Sequence, residues 1–592
     1  MVHKKHAITL VALLLSAALL AGCTGTAASQ AGTAQGTASA SSASSASTTL
    51  AASNAVSVTF DASDEAIDWQ SAGATPIDLN TGSATITQSG VYEVTGTLED
   101  GSLVVNVDKD TDSGTVILVL NGASITSSDS APIDIKDAKK VVLLLAEGTA
   151  NTVTQGSAVV TNEDDEPTAA IFSKADLTIT GSGSLAVTTE YNDGITSKDT
   201  LKITGGTITV TAAQDGLVGK DALAIQTADL TVTAGKDGLR ATNDSETGLG
   251  NLLILDGTFH ITAANDAMQA VSTLQIEGGT FTLSSGGGYG GILSSGNQMG
   301  GPGGQAQTAT ATSDTQESKK AIKADGAVLI NGGTFTISAY EDALHSNGSV
   351  SVSGGTFAIS SGDDAVHADG TLTISGGSFD IAASYEGIEG ANITITGGTI
   401  ALVSSDDGLN VNDASGLLTL AGGEITIDAG GDGIDSNGSV VMTGGTVLVS
   451  GPTDNGNGPL DYDSTFTISG GSLVAAGSSG MAQAPGTGSS QLSLLVYYTA
   501  TQQAGTSVAL KDASGNTLAQ FTPAKQYSSV VISVPGLAQG STYSLYSGDT
   551  QLAQITLSGT TTVVSSTGEA VSGGTTMGGG GMGGGPGGGR RG

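Results

Sequence analysis

Positive charge is scarce in this chain: 19 Lys and Arg stand against 56 Asp and Glu, a formal net charge of −37. That balance excludes nucleic acid as a partner, because phosphates are held by Lys and Arg. There is one cysteine in 592 residues, Cys23, so no internal disulfide can form. Aromatic residues make up 4% of the chain, and Trp69 is the single tryptophan. What is abundant is glycine, 90 residues, together with a slightly positive mean hydropathy. That pairing suits many tight turns around an aliphatic core and does not suit a disordered chain.

The N-terminus has the make-up of an export signal. Lys4 and Lys5 form a short basic region, followed by an apolar run from Ile8 to Leu20 that is too short for a comfortable membrane span. It ends in Leu20-Ala21-Gly22-Cys23. This ending resembles a lipobox, which implies removal of residues 1–22 and acylation of Cys23. The alternative is a buried thiol in an uncleaved anchor. Residues 23–55 are rich in Ala, Ser and Thr and carry no charge, so they are expected to form a flexible tether. The expected location is outside the cytoplasm, on a lipid anchor at the membrane or cell surface.

The body of the chain repeats. Leu372-Thr373-Ile374-Ser375-Gly376-Gly377-Ser378-Phe379-Asp380-Ile381 follows the same grammar as Val350 to Ile359, 22 residues earlier. The leading turn glycines fall at 332, 354, 376, 397, 422, 444 and 470, with steps of 22, 22, 21, 25, 22 and 26. Alternation of apolar and polar residues makes short half-buried strands, and Gly-Gly supplies a corner where a Cβ would clash. Three strands and three corners use up each repeat and leave no room for a helix. The expected fold is all-β, a right-handed parallel β-helix over residues 56–490. Residues 285–320 are expected to be a loop extruded from one corner, 491–566 a small β cap or module, and 567–592 a disordered Gly-rich tail. In the first coils, the unbroken apolar runs Val116 to Leu120 and Val141 to Leu145 predict burial on both faces.

Each coil carries an acid before a small residue and an aliphatic one. One series is Asp193, Asp215, Asp237 and Asp266; the other is Asp342, Asp364, Glu386, Asp407 and Asp432. Equivalent positions in adjacent coils stack about 4.8 Å apart. Neighbouring carboxylates then repel by about 3.5 kcal/mol at an effective dielectric near 20, and by under about 1 kcal/mol in bulk water. Relief can come from raised pKa values, from backbone N–H donors or from cations. A hard divalent ion such as calcium suits such a column, with Asp435 as an additional ligand. Three residues beyond the acids runs a second polar file of His345, His367, Glu389, Asn410 and Asp435. The competing reading is that the acids merely cap corner N–H groups.

The runs Tyr191 to Asp199, Gly431 to Gly438 and above all Gly451 to Asp463 resemble the bacterial β-helix lipoproteins known as carbohydrate-binding-domain proteins. The resemblance spans roughly residues 56–566. It implies binding of cellulose and acidic plant sugars, a bound calcium, and a fold similar to polysaccharide lyases. Ala343 and Ala365, where a turn glycine is expected, and the turn at Asp256-Gly257 depart from the pattern. Three functions remain open. A binder would hold polysaccharide, acidic like polygalacturonate or else cellulose, through calcium, with Tyr191, Tyr340, Tyr385 and Asn410 as sugar contacts. A calcium-dependent lyase would need a base, for which Lys198, Lys220, Lys236 and Arg240 lie near the N-terminal acids. An adhesive or structural solenoid would need no site. A monomer with no catalytic residues is the expectation.

Overall fold

The computed structural model describes residues 56–161, 166–293 and 317–571, and these form a parallel β-helix. Cys23, the tether, most of the 285–320 segment and nearly all of the Gly-rich tail lie outside the described residues. Each coil contributes one strand to each of three parallel sheets. The long strands, such as Thr258–Ala263, stack in register from Ile208 through Leu230, Phe259, Phe281, Phe335, Phe357 and Phe379 to Ile400. Three-residue strands, such as Leu344–Ser346, make the second sheet, and four-residue strands, such as Ser349–Val352, make the third. Two coils fuse the last two, in Val366–Ile374 and Ile388–Ile395.

The corner glycines are required by coil spacing. A Cβ on Gly376 would sit 2.4 Å from the Ser353 carbonyl oxygen of the coil below, and Gly377 adopts φ +94°, where L side chains are strained.

Five phenylalanines stack inside the long-strand sheet, with ring centroids 4.5–4.7 Å apart and planes within 9°. Exact repetition of one residue at one coil position produces this, because each ring is offset from the next by the strand spacing alone. Phe335, in the middle, is expected to matter through shape as well as area. Phe335→Leu keeps an apolar side chain but loses two stacked pairs, and should cost about 1–3 kcal/mol in chemical denaturation. A change within error would mean that the stack is incidental.

The first coils differ from the rest because their outer face is covered. Residues 56–72 run back across the third sheet as a strap. The Val56 N–H donates to Gln275 Oε1 at 2.7 Å, and the Lys202 ammonium donates to the Thr59 carbonyl at 2.8 Å. Ile67 and Trp69 then pack on Val119, Leu144 and Ala146. This explains the unbroken apolar runs: one face of Val141 to Leu145 meets the core and the other meets the strap. The strap is riveted by Asp64, whose side chain is fully buried. It pairs with Lys140 at 2.6 Å and Lys202 at 2.9 Å, and it accepts from Thr178 Oγ1 at 2.8 Å.

At the other end, the last coil strand Ser472–Gly477 is paired antiparallel by Tyr527–Ser533, which continues to Ser493–Gln502 and Thr561–Ser565. A separate four-stranded antiparallel sheet completes this module, with a core of Leu494, Leu510, Tyr527 and Leu545. The open strand edge of the solenoid is thereby covered.

Candidate functional site

The register of the three-residue strands decides which side chains stack. Ile195, Leu217, Leu239, Met268, Ile322, Leu344, Val366, Ile388, Leu409 and Ile434 are successive partners. Two residues before each lies the acidic column, and the two series of the sequence prove to be one. Between Asp266 and Asp342 the column position is held by Lys320, which enters after the 294–316 insertion. One residue after each lies the second file: Thr196, Val218, Arg240, Gln269, Lys323, His345, His367, Glu389, Asn410 and Asp435.

The carboxylate oxygens divide their work. Oδ1 of one coil accepts from the backbone N–H of the next column residue: Asp193 from Asp215 at 3.1 Å, Asp215 from Asp237 at 3.0 Å, Asp237 from Asp266 at 3.1 Å, and Asp266 from Lys320 at 2.7 Å. The ladder resumes from Asp342 to Asp364 at 3.1 Å and from Asp364 to Glu386 at 3.2 Å, then from Asp407 to Asp432 at 2.6 Å. Corner capping is therefore real for the aspartates, but it uses only one oxygen of each.

The second oxygen faces the second file, where the partners change along the axis. Thr196 meets Asp193 at 3.0 Å, and Arg240 bridges Asp215 at 2.9 Å and Asp237 at 3.4 Å. Lys323 lies 3.7 Å from Asp266. Lys320 and His345 both reach Asp342 Oδ2 at 2.7 Å, and His367 stands 2.9 Å from both Asp364 and Glu389. Beyond Glu389 the cations stop. Asp406, Asp407, Asp432, Asp435, Asp461 and Asp463 have no Lys, Arg or His partner among the described residues.

The charge states follow. Burial, reinforced by Asp432 and Asp406, pushes Asp407 up to about 8. Burial and neighbouring acids also push Asp432 to about 7 and Asp435 to about 6. Glu386 rises to about 9 through burial and then Glu389 and Asp364. At the other end burial and neighbouring acids raise Asp237 to about 7 and Asp193 to about 6. Asp342 goes the other way, since His345 and Lys320 outweigh its burial.

A divalent cation fits the unpaired end. Oxygens of Asp407, Asp432 and Asp435 lie within 4.8 Å of one another. Asn410 donates to Glu386 at 2.7 Å, but its own Oδ1 is buried with no hydrogen-bond partner, and its neighbour in the next coil is Asp435. Three carboxylates without a basic partner, with an orphaned amide oxygen on the strand position paired with Asp435, are oxygen donors of the kind a calcium-type ion takes. The Gly451–Asp463 run closes this end: the Gly458 N–H takes the place of the next column residue against Asp432 Oδ1, and Asp461 and Asp463 add two acids.

The three tyrosines do not share one file. Tyr191 and Tyr340 lie two residues before the column and are 49% and 37% exposed. Lys319 sits 4.8 Å over the Tyr340 ring, so that face is already taken by a cation. Tyr385 is half-buried one residue before Glu386. The sequence missed Lys320 and Lys323 as members of the two files, because the insertion hides their distance from Asp266.

The fold is a β-solenoid with two stacked, largely buried polar files along one edge. The chain belongs to the carbohydrate-binding domain-containing protein family, whose model matches residues 80–365 and 363–582. A carbohydrate-binding domain-containing protein of Acetivibrio thermocellus is 42% identical over 127 residues, 21% of this chain and 43% of that protein. The match thus spans less than half of that relative's length. Among solved structures, the polysaccharide lyase-like protein from C. thermocellum, as a gadolinium derivative, is 38% identical over 35% of this chain and 82% of that one, with a TM-score of 0.34.

Proposed function

We propose that this protein is an exported, lipid-anchored binder that holds an acidic polysaccharide, polygalacturonate in type, through calcium at the C-terminal end of the two files. Cellulose is the second candidate ligand. The observation that carries the reading is the cluster of Asp407, Asp432 and Asp435, none with a basic partner among the described residues, with the orphaned Asn410 Oδ1 on the strand position paired with Asp435. A chain of net charge −37 repels a polyanion, so a bridging cation is needed between them. Calcium, when bound, would supply open coordination positions for sugar carboxylates. Asp407, Asp432, Asp435 and Asn410 would hold it, while the backbone ladder through Oδ1 fixes how the carboxylates point.

Two basic residues of the files, Arg240 and Lys320, are poorly suited to act as the base of a lyase. A general base needs a pKa lowered toward the working pH. Burial alone would lower Arg240 and Lys320, but Asp215 and Asp342 beside them raise both instead.

The test is retention of the full-length protein on immobilised polygalacturonate, with calcium and again with chelator. Retention is expected with calcium only, with no growth of ultraviolet absorbance from unsaturated uronide ends. Asp432→Asn should weaken calcium-dependent retention about tenfold or more, because affinity follows ligand charge. Retention that survives chelation would overturn the calcium reading, and steady absorbance growth would make the protein a lyase.

A further inference from the structure

The middle of the two files holds a second grouping of a different chemistry. His345 and His367 lie in adjacent coils with rings stacked 4.9 Å apart, and both are largely buried. His367 Nδ1 stands 2.9 Å from Asp364 Oδ2 and 2.9 Å from Glu389 Oε2, while His345 Nδ1 stands 2.7 Å from Asp342 Oδ2. Donor atoms of Asp364, His367 and Glu389 lie within 4.8 Å of one another, as do those of Asp342, His345 and His367. His367 belongs to both sets.

The outer nitrogens are already committed. His345 Nε2 meets Asn347 Oδ1 at 2.9 Å, and that amide is oriented by its own Nδ2, which donates to Asp325 at 3.1 Å. His367 Nε2 meets Asp369 Oδ1 at 3.1 Å. Each Nε2 must therefore be the N–H donor. A neutral imidazole has only one N–H, so each Nδ1 turns a lone pair toward carboxylate oxygens. In the protonated ring a proton fills the place between His367 Nδ1 and its two carboxylate oxygens, and a divalent ion can displace it and serve all three atoms.

We infer that Asp364, His367 and Glu389 form a site for one divalent transition-metal ion of the zinc type, distinct from the oxygen-only end at Asp407 to Asp435. Imidazole nitrogen with carboxylate oxygen is a donor set that zinc and its neighbours take and that calcium does not. Asp369 is the outer partner that fixes the His367 ring, as carboxylates do behind metal-bound histidine. Lys320 holds Asp342, the acid one coil below, and so keeps the ion toward Asp364 and Glu389.

The experiment uses the full chain, stripped with chelator, returned to excess calcium and titrated with zinc chloride by calorimetry in buffers of different ionisation enthalpy. Excess calcium keeps the outcome separate from the calcium reading above. Expected are one equivalent of zinc and proton release on binding, with a visible absorption band when cobalt(II) replaces zinc. His367→Gln keeps size and a donor but removes the shared ligand, and should weaken zinc binding by about 100-fold or more. Asp369→Asn, at the surface, should weaken it about 10- to 100-fold and remains informative if the histidine variant misfolds. Zinc uptake that is abolished by excess calcium, or that is unchanged in both variants, would overturn the site.

Discussion

Stripped of divalent ions, the protein is expected to lose thermal stability steadily as pH rises from about 5 to about 9, and added calcium should restore it. The sign follows from the carboxyls whose folded pKa lies above the ordinary range of about 4. Glu386 at about 9, Asp407 at about 8, Asp432 and Asp237 at about 7, and Asp193, Asp363 and Asp435 at about 6 keep protons that the unfolded chain has released. The folded state binds more protons across this window, so stability is full below about pH 4 for these groups and falls as pH passes each value. His367, raised to about 11 because Asp364 and Glu389 outweigh its burial, works in the same direction. Asp64, Asp342 and Glu389 are depressed and act oppositely, contributing above about pH 4 and losing that contribution as pH falls. An apo stability maximum near pH 4–6 results. Calcium at 100 times its dissociation constant would add about 2.7 kcal/mol per site, and more at pH 8 than at pH 5, where protons compete. Melting curves over pH 5–9 in chelator and in calcium test this. A flat apo profile would mean that the column acids are compensated by something other than protons.

Asp64→Ala is expected to cost about 3–5 kcal/mol, the range for removing one partner of a buried ion pair. Two ammonium groups, Lys140 and Lys202, would lose their carboxylate at once, and the Asp61 N–H and Thr178 hydroxyl would lose an acceptor. Both lysines retain some exposure, so Asp64→Asn, which keeps an acceptor, should fall toward the lower end. The loss should be local, because coils contact only their neighbours. Hydrogen exchange should rise in residues 56–72 and in the strand Lys140–Leu145 beneath Trp69, with the Phe335 region unchanged. Uniform loss of protection along the chain, or a cost under about 1 kcal/mol, would show that the strap is held elsewhere.

Much of this molecule is periodic, and what is periodic was legible. A step near 22 residues, Gly-Gly corners and alternating Phe and Ile specify coils whose equivalent residues must stack, because one coil position repeats at the strand spacing. The column from Asp342 to Asp432 and the inward Phe357 and Phe379 needed nothing more. The burial of Val141 to Leu145 on both faces could also be foreseen, but what covers them could not. The strap bears no repeat, and Asp64 finds Lys140 and Lys202 from 76 and 138 residues away. Nor could counting reach Lys320, set 54 residues beyond Asp266, across an insertion that breaks the step. Only the fold decided that it stands in the column, that one oxygen of each column aspartate is given to the backbone, and that compensation ends after Glu389. Sequence fixes which residues stack through repetition along the chain. Whether a stacked charge is paired, protonated or left for a cation depends on desolvation and on neighbours brought in from outside the repeat.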